Sequence, residues 1–217
     1  STSAATPPAL STSLCGFPVH DPLTAASASC GFGHVLSPYH SLSTWAGLSF
    51  KGSTLRPRKG NPVPRIAETP SGILNAVGLQ NPGIEVFLAE ELPRLAGADT
   101  VLIANLAGDS PEEMAECAAR LEDRAVAMVE LNVSCPNVAE GGVLFGQRPE
   151  LAAKVTREVK KNSGQLPVIV KLSPNVADIT EIAIACAGAG ADMLSCINTL
   201  TGMAIDINTR KPLLANI

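Results

Sequence analysis

The sequence predicts an α/β fold in which parallel strands alternate with helices, as an open sheet or closed into a barrel. Three observations predict it. Short apolar runs recur along the chain, several of them continuous Val/Ile/Leu stretches of the kind buried on both faces in parallel sheets. Helical periodicity fills the intervals between the later runs. Polar residues gather at the C-terminal ends of the runs, where a parallel barrel has its mouth.

The candidate strands are 22–26, 46–51, 100–106, 126–134, 167–172 and 193–198. Ser110-Pro111-Glu112-Glu113 reads as a helix start, with Ser at N-cap, Pro at N1 and Glu at N3. Met114, Cys117, Ala118 and Leu121 follow at i, i+3, i+4, i+7. Leu151, Val155 and Val159 mark a second helix. Ile179, Ile182, Ala183 and Cys186 mark a third, stopped by Gly188-Ala189-Gly190. Residues 52–83 hold five prolines and no clear period. So long an irregular segment in a compact domain is expected to be functional. Its polar run Asn75–Asn81 suits a loop that wraps a ligand. Residues 1–13, rich in Ser, Thr, Ala and Pro, are expected to be a flexible tail, with 14–217 a single domain.

Composition removes several function classes. At 217 residues, 46% hydrophobic and 17% charged, the chain has ordinary globular character. A net charge of -4 and no Lys/Arg run argue against a nucleic-acid or anionic-membrane surface. No apolar stretch approaches the roughly 20 residues of a membrane span. The six cysteines lie far apart with no C-x-x-C spacing. Free thiols in a reducing, cytoplasmic setting are expected, and no zinc site. Neither a G-x-G-x-x-G fingerprint after a strand nor a Walker loop occurs. The three histidines, 20, 34 and 40, cluster early in the chain and pair with no nucleophile.

The strand ends carry the chemistry. They hold Ser27, Lys51, Asn105, Asn132 with Cys135, Lys171, and Asn198-Thr199. In a parallel barrel all of these face one mouth. Lysines beside apolar strands are costly without an anionic partner. A flat, electron-rich, partly anionic cofactor such as a flavin suits them, with amides fixing its hydrogen-bonding edges. The stretch 130–137, Glu-Leu-Asn-Val-Ser-Cys-Pro-Asn, ends a strand in two amides and a thiol. A buried structural cysteine is the bland alternative; with no histidine nearby, the functional reading is a lone proton acceptor.

Longer motifs add a resemblance. Lys59-Gly60-Asn61-Pro62, Pro64-Arg65, Glu68-Thr69-Pro70-Ser71-Gly72, Leu74-Asn75 and Gly78-Leu79-Gln80-Asn81-Pro82-Gly83 are followed by the 131–137 motif, Val170-Lys171-Leu172-Ser173-Pro174-Asn175, Ile197-Asn198-Thr199 and Gly202-Met203-Ala204-Ile205-Asp206. Together they resemble the catalytic subunit of class 1 dihydroorotate dehydrogenases, from about Cys15 onward. Residues 138–146 and Thr209-Arg210-Lys211-Pro212 look most like the class 1B branch; the fumarate-linked class 1A enzyme is the runner-up. The resemblance implies a (β/α)8 TIM barrel and FMN-dependent oxidation of dihydroorotate to orotate in pyrimidine biosynthesis. Cys135 resembles the base that removes the C5 proton, a hydride passing to the flavin. Lys51, Asn75, Gly78, Leu79, Asn132, Asn137, Asn198 and Thr199 resemble substrate contacts. Ala26, Ser27, Lys51, Asn105, Asn132, Lys171 and Ile197 resemble flavin contacts. The branch implies a homodimer within a heterotetramer, whose second subunit carries FAD and a 2Fe-2S cluster and passes electrons to NAD.

The sequence also departs from the family. Ser27 is followed by Ala28-Ser29-Cys30 where the family has Ser-Gly-Thr, so a Cβ at Ala28 could crowd a cofactor. Phe50 stands where a threonine is usual, and His34-Val35 replaces an acidic pair. About six of eight barrel strands are legible, and the glycine-rich turns that hold the FMN phosphate in the family are absent. A C-terminally incomplete enzyme is expected, with an inactive truncated barrel acting as an interaction module as the alternative.

Overall fold

The computed structural model describes residues 10–134 and 145–215. In chain order the strands begin with a hairpin, β1 (Thr12–Leu14) and β2 (Phe17–Val19). Then come β3 (Thr24–Ala25), β4 (Gly47–Ser49) and a second hairpin, β5 (Ile66–Thr69) and β6 (Gly72–Asn75). Helix α1 (Ile84–Val86) runs on through a π turn and a 3-10 turn to Leu95. After it alternate β7 (Val101–Leu106), α2 (Pro111–Ala119), β8 (Met128–Asn132), α3 (Pro149–Asn162), β9 (Val168–Lys171), α4 (Ile179–Gly188) and β10 (Met193–Ser195). A third hairpin, β11 (Ile205–Asp206) and β12 (Lys211–Pro212), follows.

All six expected strands are present and form one parallel sheet, in the order β3-β4-β7-β8-β9-β10. The three expected helices are α2, α3 and α4. Ser110 Oγ accepts from Glu113 N at 3.1 Å, as the capping box requires. The Glu113 carboxylate departs from that pattern, accepting from Asp109 N at 2.7 Å. Three features were not expected. The β5–β6 hairpin lies inside the segment read as irregular, β1 begins inside the stretch read as a tail, and the helical segment from Ile84 to Leu95 is not among the expected helices. Its apolar residues Ile84, Phe87, Leu88, Leu92 and Leu95 fall at helical spacing and pack into the core, while π and 3-10 turns interrupt the α-helix and Pro93 lies within it.

The sheet is curled. In a flat sheet β9 and β3, four steps apart at about 4.8 Å each, would be separated by about 19 Å. Yet Lys171 Nζ at the end of β9 donates to Ser27 Oγ just past β3 at 3.0 Å. Six parallel strands curled in this way, with helices on the outer face, constitute part of a (β/α)8 barrel.

Curling gives the two faces different roles. Leu48, Leu102, Ala104, Leu106, Val129, Leu131, Val168 and Val170 face the helices, packed with Met114, Leu121, Val155, Val159 and Ile182. The inner face starts apolar at its N-terminal end, where Ile103, Met128 and Ile169 pack together with Met193 and are covered by Leu14 and Cys15 from the first hairpin. Two residues further along each strand the inner face turns polar. Among the described residues, no helix is long and apolar enough to cross a membrane.

Candidate active site at the C-terminal ends of the parallel strands

Strand alternation places the polar side chains. Ser49, Asn105, Glu130, Asn132 and Lys171 share the inner face, with Asn105 in register with Glu130 and Asn132 with Lys171. Lys51 continues the inward phase of Ser49 two residues on. Intervening residues point to the helices: Phe50 is fully buried, its ring 5.4 Å from that of Phe87. This departure from the family pattern is therefore a packing change on the opposite face from the mouth.

The two lysines are held differently. Lys171 is 8% exposed, and its ammonium donates to Ser27 Oγ, which supplies a lone pair but no charge. Burying a cation is unfavourable unless it is paired, and the partner at Ser27 is neutral. Lys51 is half-buried and its backbone N donates to Gly31 O at 2.8 Å. Burial, and then the nearby Arg65 guanidinium, lower its amine below the usual lysine value. Arg65 is itself held by Gln80 Oε1 at 2.5 Å and Asn61 O at 3.3 Å.

The amides form a second group. Asn198 Nδ2 donates to Asn132 Oδ1 at 3.0 Å, and Asn198 Oδ1 accepts from Thr199 N at 2.9 Å. Asn175 then fixes 199–201, donating to Thr199 O and accepting from Thr201 N. The Cys196–Ile197 peptide between β10 and Asn198 is cis, and Ile197 is exposed. Ser134 N donates to Asn132 Oδ1 at 3.0 Å, which directs the chain out of β8 toward residue 135. Cys135 and Asn137 lie outside the described residues. Of the other thiols, burial raises those of Cys30 and Cys186 and pushes Cys117 up to about 12. These are packing residues rather than proton acceptors.

The expected wrapping segment folds back on itself beside the mouth. Asn81, 5% exposed, is its clasp: Oδ1 accepts from Thr54 N, Thr54 Oγ1 and Gly83 N, while Nδ2 donates to Leu79 O. Gly78 and Leu79 both take positive φ, at 72° and 53°. A Cβ on Gly78 would come within 2.8 Å of Asn61 N, so only glycine fits. Asn75 ends β6 and is exposed.

Ala26 O accepts from Ser29 N and Oγ, closing the turn after β3. Within that turn Ala28 has φ of 67° and is exposed. Its departure from glycine is thus a strained backbone, since the left-handed region disfavours a Cβ. His34 lies with Nδ1 3.1 Å from Glu91 Oε2.

The inner face fits a flat, partly anionic ring. Gly52 follows Lys51 at the mouth, where a Cβ would stand 2.8 Å from Asn105 Oδ1. That backbone is bare where a ring would approach.

A family model described as dihydroorotate dehydrogenase matches residues 9–217. The chain belongs to the dihydroorotate dehydrogenase family. This is a family of oxidoreductases, and the partial barrel is its fold. Relatives named dihydroorotate dehydrogenase B (NAD(+)), catalytic subunit, are similar along most of the chain. That of Solidesulfovibrio magneticus is 53% identical over 205 residues, covering 94% of this chain and 67% of that protein. That of Geobacter sp. strain M21 is 50% identical over 211 residues, with 97% and 69% covered. That of Desulforudis audaxviator is 50% identical, with 94% and 66% covered. The chain thus spans about two thirds of the length of these dihydroorotate dehydrogenases, and their names fit the class 1B branch.

The structure adds residues that the sequence reading passed over. Glu130, Gly52, Asn81 and Asn175 each hold or clear space for a site residue. Glu130 was legible in principle, because the period-2 phase of β8 aligns it with Asn132.

Proposed function

We propose that this chain is the dihydroorotate-oxidising subunit of a class 1B enzyme, binding FMN at the strand ends and converting dihydroorotate to orotate in pyrimidine biosynthesis. The family match across every strand of the sheet carries this reading. The residues around the mouth support it. Lys171, Asn105, Asn132, Ser27, Ala26 and Ile197 hold the flavin ring, with the Lys171 cation beside its electron-rich edge. Lys51 lies between ring and substrate, where its charge meets the orotate carboxylate. Asn132, Asn198 and Thr199 on the strand side, and Asn75, Gly78 and Leu79 on the other, fix the polar edge of the substrate, together with Asn137. Cys135 takes the C5 proton. The bound flavin supplies the two-electron acceptor at C6.

Electrons then leave through a partner subunit carrying FAD and a 2Fe-2S cluster to NAD, in a heterotetramer built on a homodimer. The names of the relatives, which specify NAD(+) and a catalytic subunit, support that arrangement. A cytoplasmic setting fits the unpaired cysteines.

The test is the visible spectrum with FMN before and after anaerobic dihydroorotate. It is run on this chain and on a chimera in which the C-terminal third of the Solidesulfovibrio relative follows residue 217. Flavin bands that bleach in either protein are expected. Bound flavin that dihydroorotate leaves oxidised in both would overturn the substrate, and no flavin in either would overturn the cofactor.

A further inference from the structure

Glu130 is the one carboxylate that the sheet buries on its inner face among the described residues, at 5% exposure. Toward the N-terminal end of the same face the side chains are apolar, Ile103 and Met128 among them. Burying a carboxylate costs several kcal/mol that an aliphatic side chain would avoid. Two donors converge on its Oε1: Asn105 Nδ2 at 2.5 Å and Ser49 Oγ at 3.0 Å.

The Asn105 contact has a directional consequence. Glu130 Oε1 accepts from Asn105 Nδ2, so the carboxamide nitrogen faces Glu130. The oxygen is thereby turned the other way, toward Gly52 at the mouth. Without Glu130 the two ends of the amide would be nearly equivalent, and either could face the site. With it, Asn105 presents a fixed acceptor, which suits a ring imide N–H and rejects a ring carbonyl.

We propose that Glu130 is a positioning residue that locks the Asn105 carboxamide with Oδ1 toward the mouth, as the acceptor for an imide N–H of the cofactor ring. The inference rests on the flavin reading above. Glu130 acts through Asn105 and touches no ligand itself.

The experiment uses whichever of the chain and the chimera binds FMN, and reads the FMN dissociation constant by fluorescence titration. Glu130→Met removes the acceptor at similar volume and should weaken FMN roughly tenfold or more. In an Asn105→Ala background the same change should have an effect of less than about twofold. Glu130→Gln keeps an acceptor oxygen and should stay within about threefold of the unsubstituted protein. Unaltered affinity in Glu130→Met, or an equal loss in the Asn105→Ala background, overturns the proposal.

Should Glu130→Met fail to fold, Asn105→Asp replaces it. Two carboxylates in contact share one proton, which mimics the native N–H, and FMN binding should weaken as rising pH removes it. Adding Glu130→Gln should abolish that pH dependence. Its persistence in the double variant, or its absence from Asn105→Asp, again overturns the proposal. Failure of both unsubstituted proteins to bind FMN would instead overturn the cofactor reading beneath it.

Discussion

Neighbouring residues on β8 face opposite environments. Leu131 is fully buried among helix side chains, and Glu130 is nearly as buried on the inner face. The helix-facing side is apolar along its whole length, so one requirement, close packing, governs every position. The inner face changes along its length: Ile103, Met128 and Ile169 at one end, Ser49, Asn105 and Glu130 next, then Lys51, Asn132 and Lys171 at the mouth. Burial alone therefore does not separate core from site in this barrel; the identity of the hydrogen-bond partner does.

Substitutions can break this comparison. The largest effect is expected at Cys135, which lies outside the described residues. Cys135→Ser should slow flavin reduction by dihydroorotate by roughly 100- to 10,000-fold while leaving substrate binding largely intact. Stopped-flow reduction beside equilibrium titration checks this, and unchanged reduction would remove Cys135 from the mechanism. Next come paired changes on the two faces. Leu131→Ala should cost about 2–5 kcal/mol in unfolding free energy through the cavity it leaves. Lys171→Met should leave stability within about 1 kcal/mol or raise it, because it removes a buried charge, yet abolish flavin binding. Denaturant titration and flavin titration of both variants decide it; equal stability losses would erase the distinction between the faces.

A smaller effect concerns Lys51. Its folded-state value lies below that of the unfolded chain, so the unfolded state holds more protons in the alkaline window under 10.5. Stability from this group should therefore rise with pH across that window as the burial penalty disappears. Binding of an anionic product has the opposite sign, weakening as the cation is lost. Arg65→Gln removes one cause of the depression and should shift the alkaline loss of orotate affinity to higher pH. An unshifted binding profile would show that Arg65 does not act on Lys51. The smallest effect is expected at Ala28. Ala28→Gly relieves a positive φ and should raise stability by about 1 kcal/mol, measurable as a higher unfolding midpoint.

The strands and helices were legible because each depends on local pattern. Apolar runs such as Val168–Val170, and the capped start at Ser110, announce themselves without knowledge of neighbours. The lysines at 51 and 171 and the amides at 105, 132 and 198 were legible because polarity at the end of an apolar run is conspicuous. The segment from Ile84 to Leu95 carries a helical period but is not among the expected helices; Pro93 and the π and 3-10 turns interrupt it. The clasp at Asn81 was missed because its partner Thr54, 27 residues away, becomes a neighbour only when the loop folds back.

The sequence by itself determined the family, the strand–helix alternation and which residues carry charge, since periodicity and residue type are local properties of the chain. Only the tertiary structure decided which of those residues meet. The contact between Ser27 and Lys171 joins positions 144 residues apart and exists because the sheet curls. The orientation of Asn105 depends on Glu130, 25 residues away on the adjacent strand. Curl and register follow from how whole strands pack against one another, and no local run of residues encodes them.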